Sequence, residues 1–219
     1  MYYSQSGEDQ YLNEVIFKNK QNGVYIELGA FDGIVYSNTK FFEESLHWTG
    51  ILIEPHPIIY NRLVENRPHN VLCNDLVSCH KDPLEFRYFV DYYAPCSGVE
   101  STLSQHHMDV YFNNEHYRLL QQDKIVIKPK TLTEIIQSTS ITHIDFLSLD
   151  VEGHEYEVLQ SWDFSIPIDI ILIEMLAVEP NKDQLCRDIL IKNNYQFISI
   201  CGCNEIYAHP NYNRDSISI

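Results

Sequence analysis

Short apolar runs in this chain end, one after another, at a carboxylate. Glu27 and Asp32 lie at the end of VYIELGAFDG (24–33), Glu54 follows GILI, Asp75 comes soon after VLC, Asp150 follows HIDFLSL and Glu174 follows DIILI. If these runs are strands of an open parallel sheet, their carboxyl ends line the crevice where such sheets bind ligands, and the acids meet along one edge. Gathering carboxylates is costly through mutual repulsion and lost hydration unless the ligand offers positive charge or hydroxyl donors. A phosphate-rich ligand fits poorly. The first turn agrees, because it carries neither G-x-G-x-x-G nor a P-loop lysine, which disfavours a dinucleotide-dependent oxidoreductase.

S-adenosylmethionine meets these terms, having a sulfonium, an ammonium, two ribose hydroxyls and no phosphate. On this reading Gly29 and Gly33 let the backbone approach the cofactor. Glu27 or Asp32 answers its ammonium, Glu54 accepts from the ribose hydroxyls as acids do in dinucleotide folds, and Asn74 or Asp75 meets the adenine amino group. The cofactor carboxylate would take backbone N–H groups at a helix N-terminus near Ser37, Asn38 and Thr39.

Methyl transfer to a hydroxyl is an in-line displacement that needs alignment, exclusion of water, and a base or metal to activate the oxygen. His154 is the candidate base. It stands at or just before a helix N-terminus, where the dipole disfavours imidazolium, while Glu152 and Glu155 push the other way. Asp150 either orders the cofactor ammonium or orients the acceptor, and Glu152 could do the same from the turn. Together with Glu174, Asp150 could also hold a divalent cation such as Mg through oxygen ligands. Structural roles compete with each of these: a capping or surface histidine for His154, and backbone N–H binding for Asp150 and Glu152.

The elements that must position these groups follow from periodicity. Apolar runs at 24–28, 50–53, 71–73, 143–149 and 169–173 alternate with helical patterns, as in a parallel α/β sheet. Helices are expected from Ser37 or Asn38, from Pro57 to Pro68, after the Thr131–Glu134 capping box, over 155–162 and over 184–192. Segments 196–200 and 205–208 are spaced to pair as an antiparallel hairpin, and 84–90 and 125–128 read as further strands. The stretch 91–123 fits no strand of this scheme and reads as a helical insertion on the substrate side. Its Tyr92, Tyr93, Ser97, His106 and His107 are candidates for holding an acceptor. The N-terminal 1–22 reads as a clasp offering Gln5 and Glu8, or as a helix start capped by Ser4 or Ser6.

A balance of 15 Lys+Arg against 31 Asp+Glu gives a charge of −16, which opposes nucleic acids and anionic membranes. The cysteines are scattered outside any zinc or disulfide framework, and neither a signal peptide nor a membrane span is read from the sequence. One cytoplasmic domain over 1–219 is the expectation. The aromatic insertion could cover a pocket or pair two copies as a homodimer.

Taken together, S4-Q-S-G-E-D9, E27-L-G-A-F-D-G33, S37-N-T39, G50-I-L-I-E-P55 and I144-D-F-L-S-L-D-V-E-G-H-E155 with I173-E174 resemble the FkbM family of S-adenosylmethionine-dependent methyltransferases. The resemblance implies a Rossmann-like class I fold, a mostly parallel seven-stranded sheet ending in the antiparallel hairpin. It adds Ala30, Phe31 and Pro55 to the cofactor residues. It also implies O-methylation of a hydroxyl, with a sugar, nucleotide sugar or glycosylated small molecule as acceptor. A different class of reading is a non-catalytic module on the same fold that binds carbohydrate or a partner through the insertion.

Overall fold

The computed structural model describes residues 1–90, 93–115, 117 and 120–212. Its strands, in chain order, are β1 (Val24–Leu28), β2 (Thr49–Ile53), β3 (Val71–Cys73), β4 (Leu84–Phe89), β5 (Gly98–Val99), β6 (Gln122–Ile127), β7 (Ile144–Leu149), β8 (Ile168–Glu174), β9 (Gln196–Cys201) and β10 (Asn204–Ala208). The helices are α1 (Glu8–Tyr11), α2 (Lys40–Leu46), α3 (Pro57–Asn66), α4 (Gln105–His107), α5 (Leu132–Gln137), α6 (Glu155–Gln160) and α7 (Pro180–Lys192). A seven-stranded sheet runs in the order β3-β2-β1-β7-β8-β10-β9. The pairs from β3 to β8 are parallel, and β10 alone runs against both its neighbours.

The central strands are predominantly apolar because both faces are covered. Ile26, Leu28, Leu147, Leu149, Ile171 and Ile173 pack toward α5, α6 and α7. The alternate residues Tyr25, Phe146, Ile170 and Leu172 pack with Leu12, Ile16, Phe17, Phe42 and Leu63 on the other side. Register fixes the functional edge: Leu28 pairs with Ile53 and with Leu149, and Leu149 pairs with Ile173. Gly29, Glu54, Asp150 and Glu174 therefore leave the sheet at one level.

Local signals start the helices as expected. The His56 side chain accepts from the Ile58 and Ile59 N–H groups with Pro57 in the first turn, and Thr131 with Glu134 forms the full capping box of α5. Three expectations shift. Helix α2 begins at Lys40 rather than at Ser37 or Asn38. The N-cap of α1 is Gly7, in the left-handed region at φ 85°, rather than Ser4 or Ser6. Segments 84–90 and 125–128 are strands, but they form with β5 a separate antiparallel sheet, β5-β4-β6. The 91–123 insertion thus supplies strand as well as helix, since β5 and the start of β6 lie inside it. Among the described residues, no helix is long and apolar enough to cross a membrane.

Candidate active site

The turn after β1 is built around Glu27, which is 3% exposed. Its oxygens accept from Asn38 N–H at 2.7 Å, Thr39 Oγ1 at 2.7 Å and Ser37 Oγ at 3.0 Å. Arg67, at the end of α3 and fully buried, approaches to 3.9 Å. Burial raises the Glu27 pKa, and Arg67 and these donors oppose the rise. The Thr39 and Lys40 N–H groups are taken up by Ser37 Oγ. Glu27 and the start of α2 are thus hydrogen-bonded to one another, and Glu27, Ser37 and Asn38 also line the cleft above them. The glycines also serve the protein itself: a Cβ at Gly29, φ +76°, would fall 1.9 Å from the Asp150 carbonyl oxygen, and one at Gly33 would meet Arg67 Cγ at 2.5 Å.

Above this turn opens a cleft with about 1030 Å³ of empty space, its mouth included. From the strand ends come Gly29, Glu54 and Asp150; Ala30, Phe31, Ser37, Asn38 and Pro55 come from the following turns, and Gln5 from the N-terminal clasp. Glu54, 6% exposed, accepts from Phe31 N–H at 2.9 Å and His56 N–H at 2.8 Å. Burial still pushes its pKa up to about 7. Leu76, Val77, Phe86 and Val99 form an apolar wall beside Asp75, suited to a flat base. Phe86 and Val99 belong to the small sheet, and alternation alone could not show which face of those strands meets the cleft.

The far wall carries Asp150, Glu152 and His154. Burial pushes the Asp150 pKa up to about 6, opposed by a hydrogen bond with Glu174. Glu174 is raised as well, by burial and by the charges of Asp150, Glu152 and Glu155. Glu152, at φ 55°, lies 3.3 Å from His107 Nδ1, and burial beside Asp150 raises it as well. The backbone N–H groups of Val151 and Gly153 are bound by Glu155 at 3.0 and 3.1 Å, not by Asp150 or Glu152.

His154 is 1% exposed. Its Nδ1 lies 3.0 Å from Thr102 Oγ1, and its buried Nε2 has no hydrogen-bond partner. Burial, aided by Lys182 and His80, lowers its pKa to about 3. The ring is neutral across the physiological range, and burial, which the sequence did not weigh against the dipole and the neighbouring acids, is the principal cause.

These shifts predict an inverted pH response. Glu54, and Glu155 pushed up by burial to about 7, bind protons more tightly folded than unfolded. Their contribution is full below the ordinary value of 4.5 and is lost as pH rises through 7. The depressed His154 works the other way, but only as pH falls from 6.5 toward 3. Thermal melts of the ligand-free protein should therefore show lower stability at pH 8 than at pH 6, with the gap narrowed in Glu54→Gln. Equal melting points in the wild type would contradict the burial of these acids.

Several sequence candidates sit away from the cleft wall. Asp32 binds the Ile34 and Val35 N–H groups of its own turn. Thr39 faces Glu27 and Arg67, and the Asn74 amide donates to the Glu54 carbonyl at 2.7 Å. Glu8 ties the clasp to the C-terminal hairpin, accepting from Ser6 N–H and Asn204 Nδ2. Tyr93 packs on Phe89 and Tyr117, His106 is exposed, and Tyr92 lies outside the described residues. His107 Nε2 donates to the Cys96 carbonyl and, like Glu174, His107 lines a smaller neighbouring pocket beyond Glu152. Ser97 does reach the wall. Among the described residues, the one three-donor cluster spaced for a metal is His143, Asp145 and Asp169. It lies at the opposite ends of β7 and β8, where Lys20 already pairs with Asp145.

The cleft fits S-adenosylmethionine. Glu54 has acceptor capacity beyond its two backbone donors, Asp150 is an anionic wall for an ammonium, and no lysine or arginine lines the space among the described residues. Among solved structures the chain is similar to a TehB-like SAM-dependent methyltransferase from Corynebacterium glutamicum, at 8% identity and TM-score 0.49 over 95% of this chain and 89% of that one. It is also similar to Aeropyrum pernix fibrillarin in complex with natively bound S-adenosyl-L-methionine, at 9% identity and TM-score 0.44 over 86% of this chain and 66% of that one. Neither likeness is strong enough to bear on function, and no curated protein matches the sequence. The family model described as the methyltransferase FkbM domain matches residues 27–205, and with that match the chain belongs to the FkbM methyltransferase family.

Proposed function

We propose that this S-adenosylmethionine-dependent methyltransferase acts on oxygen, methylating a hydroxyl of a sugar, nucleotide sugar or glycosylated small molecule. The observation that carries the reading is His154: a neutral, buried imidazole with an unpartnered Nε2, on the wall shared by Glu54 and Asp150. When bound, the cofactor supplies an electrophilic methyl group. Glu54 accepts from the ribose hydroxyls, Asp150 faces the ammonium, His154 takes the acceptor proton, and Glu152 and Gln5 hold the acceptor. Water is kept out by the clasp, which is tied over the cleft by a bridge between Ser4 and Tyr36. The acidic wall favours a neutral acceptor, because a nucleotide sugar would bring its diphosphate against Glu152 and Asp150.

The test is a panel of neutral glycosides and nucleotide sugars incubated with cofactor and scored for a mass gain of one methyl, with neutral acceptors expected to lead. Methylation of nitrogen or carbon alone would overturn the reading. Calorimetry provides a second check. Glu54→Gln should weaken S-adenosylmethionine binding by about 10- to 100-fold, the worth of about 1.5–3 kcal/mol for bonds to a charged acceptor. Undiminished affinity would remove Glu54 from the ribose site.

A further inference from the structure

His154 is held from one side of its ring. Thr102 Oγ1, 3.0 Å from Nδ1, also lies 3.2 Å from the Val99 carbonyl, to which it donates. A threonine hydroxyl has a single proton, so donation to Val99 leaves Oγ1 as an acceptor toward the ring. Glu157 Oε2, 3.8 Å from Nδ1 and otherwise held by Lys182 at 3.5 Å, adds negative potential on the same side. On the opposite side Nε2 is buried without a partner. A buried orphan N–H is rarer in folded proteins than an under-satisfied acceptor. Both sides of the ring therefore select a proton on Nδ1 and a lone pair on Nε2.

We propose that Thr102, reaching in from the 91–123 insertion, is a positioning residue that locks His154 in the Nδ1–H tautomer and so makes Nε2 the proton-accepting atom. The proposal rests on the reading of His154 as base. The insertion is seated for this role, because a Cβ on Gly153, φ +92°, would come within 3.0 Å of the Thr102 carbonyl oxygen. That close approach places the threonine directly against the residue preceding the base. It also gives the insertion a task beyond covering the cleft.

The experiment uses the full ¹⁵N-labelled chain and long-range ¹H–¹⁵N correlations of His154, assigned by their loss in His154→Gln. The wild type should show a protonated Nδ1 and a bare Nε2. Thr102→Val keeps the side-chain shape but removes the acceptor. It should mix the tautomers and lower kcat at least about tenfold, with cofactor Kd unchanged within about twofold. Thr102→Ser should restore both readouts. An Nε2–H tautomer in the wild type, or a Thr102→Val spectrum like the wild type, overturns the proposal whatever the activity. A tautomer that follows Thr102 while kcat does not would support the lock and instead remove His154 as base.

Discussion

Arg67→Ala should cost about 3–5 kcal/mol of folding stability, the usual loss when one partner of a buried ion pair is removed. The Arg67 side chain is fully buried, and its guanidinium serves four structural segments. It donates to Tyr25 OH on β1 at 2.7 Å, the Gly33 carbonyl at 2.9 Å and Thr39 Oγ1 at 3.1 Å, and it pairs with Glu43 on α2. Its removal leaves Glu27 buried against only neutral donors, and the tyrosine without its charged partner. Lysine cannot replace it, because a single ammonium lacks the planar fork that reaches several acceptors at once. Urea denaturation at neutral pH checks the value, with Arg67→Lys expected to recover only part of the loss. A loss below about 1 kcal/mol would mean that the network is no more than a surface-grade ion pair. Because Ser37 and Asn38 line the cleft, the same variant should also weaken cofactor binding, which separates it from an ordinary core lesion.

Turnover should fall by about 10²- to 10⁴-fold in His154→Ala, the usual contribution of a positioned base, with little change in cofactor Kd. The neutral ring makes the prediction sharper. With its pKa lowered to about 3 by burial, His154 does not titrate near neutrality, so an acid limb of kcat near pH 6.5 is not expected. A limb near pH 6 is expected in kcat/KM from Asp150, whose pKa burial pushes to about 6. Asp150→Asn should remove that limb together with most of the cofactor affinity. Steady-state rates across pH 5–9 with a methylatable acceptor give both readouts, and full activity in His154→Ala would strip the ring of its role.

Much of this molecule is legible along the chain. Strand β1 at Val24–Leu28 and strand β3 at Val71–Cys73 fall where the apolar runs place them, and the capping box at Thr131 and Glu134 starts α5 as drawn. These are local signals, each decided within a few residues by side-chain periodicity and hydrogen bonding. The alignment of Glu54 and Asp150 at one edge was also predictable, because parallel strands that end together carry their next residues to one side. Arg67 left no such trace. Before Pro68 it reads as the last residue of a helix, and nothing nearby shows that its side chain reaches β1 and α2.

The sequence by itself determined the alternation of strand and helix, the acids at the strand ends and the family. Tertiary structure alone decided which acids face the cleft and which only hold the protein together: Glu27, Glu54 and Asp150 line it, whereas Asp32 closes its own turn. It also brought Phe86, Val99 and Thr102 to the site from the insertion and its small sheet. The reason is geometric and energetic. Strand-end register follows from periodicity, but the partner of a buried charge is set by whichever distant segment the packed sheet brings within hydrogen-bonding reach.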